Sequence, residues 1–266
     1  MRVHHVSEWR MSRIFDHPFI VALVFLFVQW AAAYVGDIFR RRRPPGKNER
    51  ADFDTVLTAT LTLLALIIGF SFSMAVSRYD QRKSYEEAEA NAISTEYARA
   101  DLLPADDGMK VRELLRRYVN QRISFYRGDK PQANEAAGDT QKLQSELWSS
   151  VVKAATTQTT PVVALTLSGM NDVLNSQGYT QAAWLNRIPA AAWALMGLIA
   201  IVSNLLLGYR ERSTGLLVLV VVPVVASIAF FLIADIDSPR GGVIRVVPHN
   251  LIAVAQLINA QQGASR

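Results

Sequence analysis

The chain has 266 residues, with 28 Lys and Arg against 23 Asp and Glu for a formal charge of +5, 50% hydrophobic residues and no cysteine. Without cysteine, no disulfide, thiolate metal ligand or cysteine nucleophile can enter a mechanism. Nucleic acid is not the implied partner of the positive charge, because the basic residues gather beside apolar stretches and do not interleave with aromatics on a polar face.

Four runs are long and apolar enough to cross a bilayer as helices: Pro18 to Ile38, Thr55 to Val76, Ile188 to Leu207 and Gly215 to Ala234. The last three contain no charged residue, whereas a core helix of a soluble protein keeps a polar face. Arg2, Arg10 and Arg13 ahead of the first run imitate a cleavable leader, but Arg40, Arg41, Arg42 and Arg43 close it as they would a retained helix. These four arginines are the candidate contacts for anionic lipid headgroups.

The loops after the first and third runs, RRRRPPGKNER and YRER, hold eight Lys or Arg in very little chain. Short basic loops stay cytoplasmic, so the N-terminus, the long polar segment and the C-terminus are expected on the opposite face of a bacterial inner membrane. The expected division is 1–77 for the N-terminal tail and first two spans, 78–187 for an extramembrane helical domain, 188–234 for spans three and four, and 235–266 for a tail with a turn and a short helix.

In the second run, Gly69, Ser71 and Ser73 form GFSFS, whose small and hydroxylated side chains suit either a water-facing path or close helix packing. The run has no breaker at its end and is expected to continue as one helix to Pro104. Tyr85, Ala88, Ala92, Thr95, Ala98 and Leu102 then make a stripe of small residues for a packing partner. Glu86, Glu87 and Glu89, with Glu96 and Asp101 beyond them, suit either an acidic ring at a pore mouth in an oligomer or a solvated face paired with Arg82, Lys83 and Arg99.

After Pro104, Asp106 and Asp107 stand where a helix N-cap is favoured, and Val111, Leu114, Leu115, Tyr118, Val119, Ile123 and Tyr126 repeat at helical spacing as far as Gly128. A third helix is expected from about Asp139 to Thr160, with Leu143, Leu147, Val151 and Val152 inward, and a fourth from about Val162 to Ser176. The fold class is all-α: four transmembrane helices with an extramembrane helical bundle inserted between spans two and three.

Pro223 should kink the fourth span, and Asp235 and Asp237 close it at the membrane boundary with Arg240 in reach, as a clamp on the tail or as a ligand contact. Pro239, Gly241 and Gly242 force a turn, VIRVV has the composition of a short strand, and Leu251 to Asn259 reads as a terminal helix. His4, His5, His17 and His249 are not in metal-binding spacing, so neither a metal nor another cofactor is expected.

The blocks EAEANAISTEYARADLLP, VRELLRRYVNQRI and LLLGYRERSTGLLVLVVVPVVASIAFFLIADIDSPRGGVIRVVP, in that order, resemble the bacterial bestrophin-like family, whose function is unknown, over roughly Val56 to Leu257. The resemblance implies a four-span membrane protein with its helical module between spans two and three. Bestrophins proper are pentameric anion channels, but here the second span lacks their aromatic-rich constriction and the tail lacks their acidic calcium-clasp run.

No phosphate-binding Gly-Lys loop, GxSxG or HExxH is present, and no carboxylate or histidine lies at mid-membrane to relay protons. An enzyme, a proton-coupled transporter and a voltage sensor are therefore not expected. Two readings remain: a homo-oligomeric passive ion channel lined by the second span, and a membrane-anchored interaction or sensor protein without transport activity. Its partners would be membrane lipids, further copies of the chain and, for the second reading, an unknown protein.

Overall fold

The structure, a computed structural model, describes residues 17–44, 46–128, 130–157, 160–210 and 216–264. The charges at Arg2, Arg10 and Arg13, the histidines His4 and His5, Glu211 and Arg212 of the second basic loop, and Gly215 lie outside them. Among the described residues the secondary structure is helical: α1 Pro18–Arg42, α2 Lys47–Arg99, a single 3-10 turn Ala100–Leu102, α3 Ala105–Arg127, α4 Lys130–Thr157, α5 Pro161–Leu185, α6 Ala190–Tyr209, α7 Leu216–Asp237 and α8 His249–Ala264. Four apolar helices of membrane-crossing length are among them.

The chain divides into two compact units, 1–79 with 187–245 and 80–186 with 246–266. In the first, α1 packs against α6 and α7. Its core joins Val21, Leu64, Ala75, Trp193, Met196, Phe230 and Ile233, with Phe25 stacked 4.3 Å from Phe230. The opposite face of α1 leaves Phe19, Leu23, Phe27, Trp30 and Tyr34 exposed, Phe27 to 73%. An apolar stripe of that size is tolerable where the surrounding solvent is lipid.

In the second unit, α3 packs against α4 and α8, and α4 against α5. The periodic residues of the sequence are where the spacing puts them: Val111, Leu114, Leu115, Tyr118, Val119, Leu143, Leu147 and Val151 are buried in one core with Met170, Val173, Leu251 and Ile258.

Several boundaries and faces differ from expectation for physical reasons. The helix expected to stop near Ser176 runs on to Leu185, because no breaker intervenes, while Thr160 caps its start by accepting the Val163 amide at 3.2 Å with Pro161 in the first turn. The N-cap position of α3 is Pro104; Asp106 and Asp107 lie in the first turn, where they answer the helix dipole without capping. VIRVV is not a strand, since the amides of Val243 and Ile244 are donated to the Asp235 carboxylate and not to a neighbouring chain.

The stripe of small residues is also turned the other way. Ala88, Thr95, Ala98 and Leu102 are exposed, and the packed face of this stretch carries Glu86, Glu89, Ala90, Ile93, Glu96, Tyr97 and Ala100. Buried carboxylates on a helix need partners or a proton, and the partners of Glu86 and Glu89 define the second unit's polar interior.

Candidate functional site

On α2, residues 69 and 73 are four apart and share a face, while residue 71 points roughly the opposite way. Gly69 and Ser73 are exposed, with open space around Gly69, and Ser71 is buried. The hydroxyl of Ser71 is thus turned into its own unit, and the Gly69 and Ser73 face is the one free to meet water, lipid or another copy of the chain.

The acidic trio separates in the same manner. Glu87 is exposed. Glu86 accepts the Leu251 amide at 2.9 Å and the Asn250 side-chain amide at 2.7 Å, which places its charge on the N-terminus of α8. Replacing Glu86 by Ala is expected to cost about 1–2 kcal/mol and fray the start of α8, read as faster hydrogen exchange at Leu251 while the core of α3 stays protected.

Glu89 is fully buried and paired with Arg122 of α3, itself 1% exposed, with the Thr180 hydroxyl donating to the second carboxylate oxygen at 3.1 Å. The guanidinium lies 4.5 Å over the Phe125 ring. Burial works against the Arg122 charge, but the Glu89 carboxylate outweighs it and holds the guanidinium above its ordinary value. Burial, then the Glu89 charge, push the phenols of Tyr118 and Tyr126 upward, so both remain neutral, and the Tyr118 hydroxyl accepts from the Gln144 side-chain amide at 3.3 Å.

The tail residues occupy separate positions. Asp235 accepts the amides of Val243 and Ile244 at 2.7 and 2.8 Å, wrapping the chain back onto the end of α7. Gly242 is needed there: a Cβ would stand 2.6 Å from the Asp235 carbonyl. Asp237 accepts the Ile188 amide at 3.2 Å with both oxygens and faces Arg78 at 3.6 Å. Arg240 is half-buried in the turn that follows.

Of the four loop arginines, Arg40 and Arg41 share Asp37, the latter at 2.7 Å. Arg42 and Arg43 are exposed, and Arg43 lines a cavity of about 420 Å³ with Asp52, Phe53, Val56, Leu206 and Tyr209. The Tyr209 hydroxyl donates to the Arg43 carbonyl at 2.8 Å. Among the described residues, no group of three or more His, Cys, Asp or Glu could hold a metal ion.

Sequence reasoning missed a polar chain inside the membrane unit. The amide of Gln29, fully buried, donates to Ser227 at 3.1 Å and accepts from Asn204 at 3.1 Å, so α1, α6 and α7 are tied through side chains. The signal was present: Gln29 and Asn204 are lone amides within otherwise apolar runs.

A family profile for the bestrophin-like domain matches residues 25–251, which takes in part of the first span as well as the three quoted blocks. No curated protein matches. Among solved structures, one variant of a bacterial bestrophin homologue from Klebsiella pneumoniae superposes with a TM-score of 0.67 at 13% identity, covering 91% of this chain and 97% of that one. A second variant gives 0.66 at 12% identity, covering 91% and 98%. A third structure of the Klebsiella homologue, phased with zinc, gives 0.59 at 13%, covering 90% and 98%. At these identities the superpositions establish the fold, and the profile establishes the kinship: the chain belongs to the bestrophin-like family.

Proposed function

We propose that this membrane protein assembles as a homo-oligomer of the bacterial inner membrane and conducts ions passively along the exposed face of α2, with Gly69 and Ser73 on the path and Glu87 at its mouth. The observation that carries this reading is the division within α2: Gly69, Ser73 and Glu87 are exposed, with Phe70 and Phe72 exposed beside them, while Ser71, Glu86 and Glu89 are buried. Four helices of this kind cannot enclose a polar conduit alone, so the lumen requires further copies of the chain. In this arrangement the short arginine loops face the cytoplasm, and Arg42 and Arg43 meet lipid phosphates.

The test is ion flux through purified protein in liposomes. Ser73→Phe should abolish it, and Glu87→Gln should alter cation-to-anion preference, while both variants keep the wild-type oligomer size in detergent. A strictly monomeric wild-type protein, or flux indifferent to Ser73→Phe, sinks the proposal.

The alternative, a membrane-anchored interaction module, draws on a separate observation. Met109, Trp148, Leu165 and Tyr179 of the second unit are 40–62% exposed, apolar surface a protein partner could cover. A persistent lack of flux from a well-formed oligomer would favour it.

A further inference from the structure

Glu96 is buried to zero exposure in the second unit, and neither carboxylate oxygen has a hydrogen-bond partner. An ionised carboxylate in that position is expensive, whereas a protonated one is a tolerable, weakly polar filler. The groove that receives it is made by a missing side chain. A Cβ on Gly169 of α5 would stand 2.1 Å from one Glu96 oxygen and 2.3 Å from an Arg99 guanidinium nitrogen. Three residues earlier on the same face of α5, the Thr166 hydroxyl is likewise fully buried and without a partner.

We propose that Glu96 is a proton-operated latch between α2 and α5: protonated, it lies closed over Gly169, and ionised, it forces this contact open.

The charged groups around it set the balance. Arg99, on α2 itself, favours ionisation but donates at 3.5 Å to the Leu165 carbonyl and makes no hydrogen bond with Glu96. Asp172 of α5 opposes ionisation. Asp101 of the 3-10 turn and Arg112 of α3 pair with each other. Burial, the dominant influence, pushes the Glu96 carboxyl up to about 8, with Asp172 adding to the rise and Arg99 drawing it down.

Because the closed form holds its proton more tightly than a solvated Glu with its ordinary value of 4.5, closure is strongest below that value and weakens as pH rises to about 8. Over this window the opening equilibrium should grow about tenfold per pH unit and then level off.

The absence of cysteine makes the test direct, since Thr166→Cys introduces the single thiol of the full chain. Its labelling by a water-soluble maleimide, corrected for thiolate fraction, should rise about tenfold per unit between pH 6 and 8 and flatten above. In the Thr166→Cys/Glu96→Gln double variant the corrected rate should not vary with pH. Equal pH dependence in both proteins, or none in either, overturns the proposal. Infrared difference spectra of the unmodified protein between pH 6.5 and 9.5 provide a second reading that needs no thiol. A protonated-carboxyl band should vanish on raising the pH and be missing from Glu96→Gln, and its absence from the wild type refutes the latch.

Discussion

Arg122→Met is expected to destabilise the extramembrane bundle by about 3–5 kcal/mol, the loss typical of removing one partner from a buried ion pair. The size follows from what remains. Glu89 would keep the Thr180 hydroxyl at 3.1 Å but would hold a negative charge at zero exposure with its guanidinium gone. The same change removes a cation from above the Phe125 ring, which in turn packs 4.8 Å from Trp184 with Tyr126 edge-on to that indole at 5.2 Å. Glu89→Leu should be comparably costly, since it strands the positive charge. The double replacement Glu89→Leu with Arg122→Met should recover most of the loss, because two apolar side chains leave no buried charge to compensate. Urea unfolding of the three variants, analysed as a double-mutant cycle, checks this. A single Arg122→Met loss below about 1 kcal/mol would mean that the pair is hydrated in solution, contrary to its burial.

The membrane helices were legible in the sequence because length and apolarity are properties of a contiguous run. Their ends were less so: α1 continues through Arg42, α6 to Tyr209 and α7 to Asp237, since backbone hydrogen bonding carries on after the side chains turn polar. The core of α3 was legible for a similar reason, its apolar residues recurring at the helical period.

The polar interior was not. Nothing local distinguishes Glu89 from Glu87; what separates them is Arg122, 33 residues later, and Thr180, 91 residues later. Glu86 likewise finds its partners 164 and 165 residues away at the start of α8. A period count places charged residues outward by default, so it turned this face of α2 to solvent and the alanines inward. The GFSFS segment was only half legible. Composition marked Gly69, Ser71 and Ser73 together, but helix geometry divides them between two faces, and only neighbours in space decide which face is covered.

The second large effect belongs to the membrane unit, where Gly208→Val should cost at least about 3 kcal/mol, the upper end for overpacking, because no flexible atom can yield. A Cβ at Gly208 would stand 1.9 Å from the Ala33 carbonyl oxygen and 2.9 Å from its Cα, so the obstruction is backbone. The contact is reciprocal: at Gly36 a Cβ would meet the Leu205 carbonyl at 2.1 Å and the Tyr209 amide nitrogen at 2.9 Å. Ala32, Ala33 and Gly36 on α1 and Gly208 on α6 thereby let the two helices touch main chain to main chain, the close approach by which spans associate where lipid offers no hydrophobic drive. Separating them would also strain the bond from Tyr209 to the Arg43 carbonyl. Two controls isolate this effect. Gly197→Ala meets only the rim of the Phe25 ring, at 3.3 Å, and should cost far less; Gly178→Ala on α5 meets nothing within 4 Å and should stabilise by up to about 1 kcal/mol through helix propensity. Thermal unfolding in detergent followed by tryptophan fluorescence should rank the three as Gly208→Val, Gly197→Ala, Gly178→Ala from least to most stable. A Gly208→Val protein that melts with the wild type would show that α1 and α6 stand further apart than these distances require.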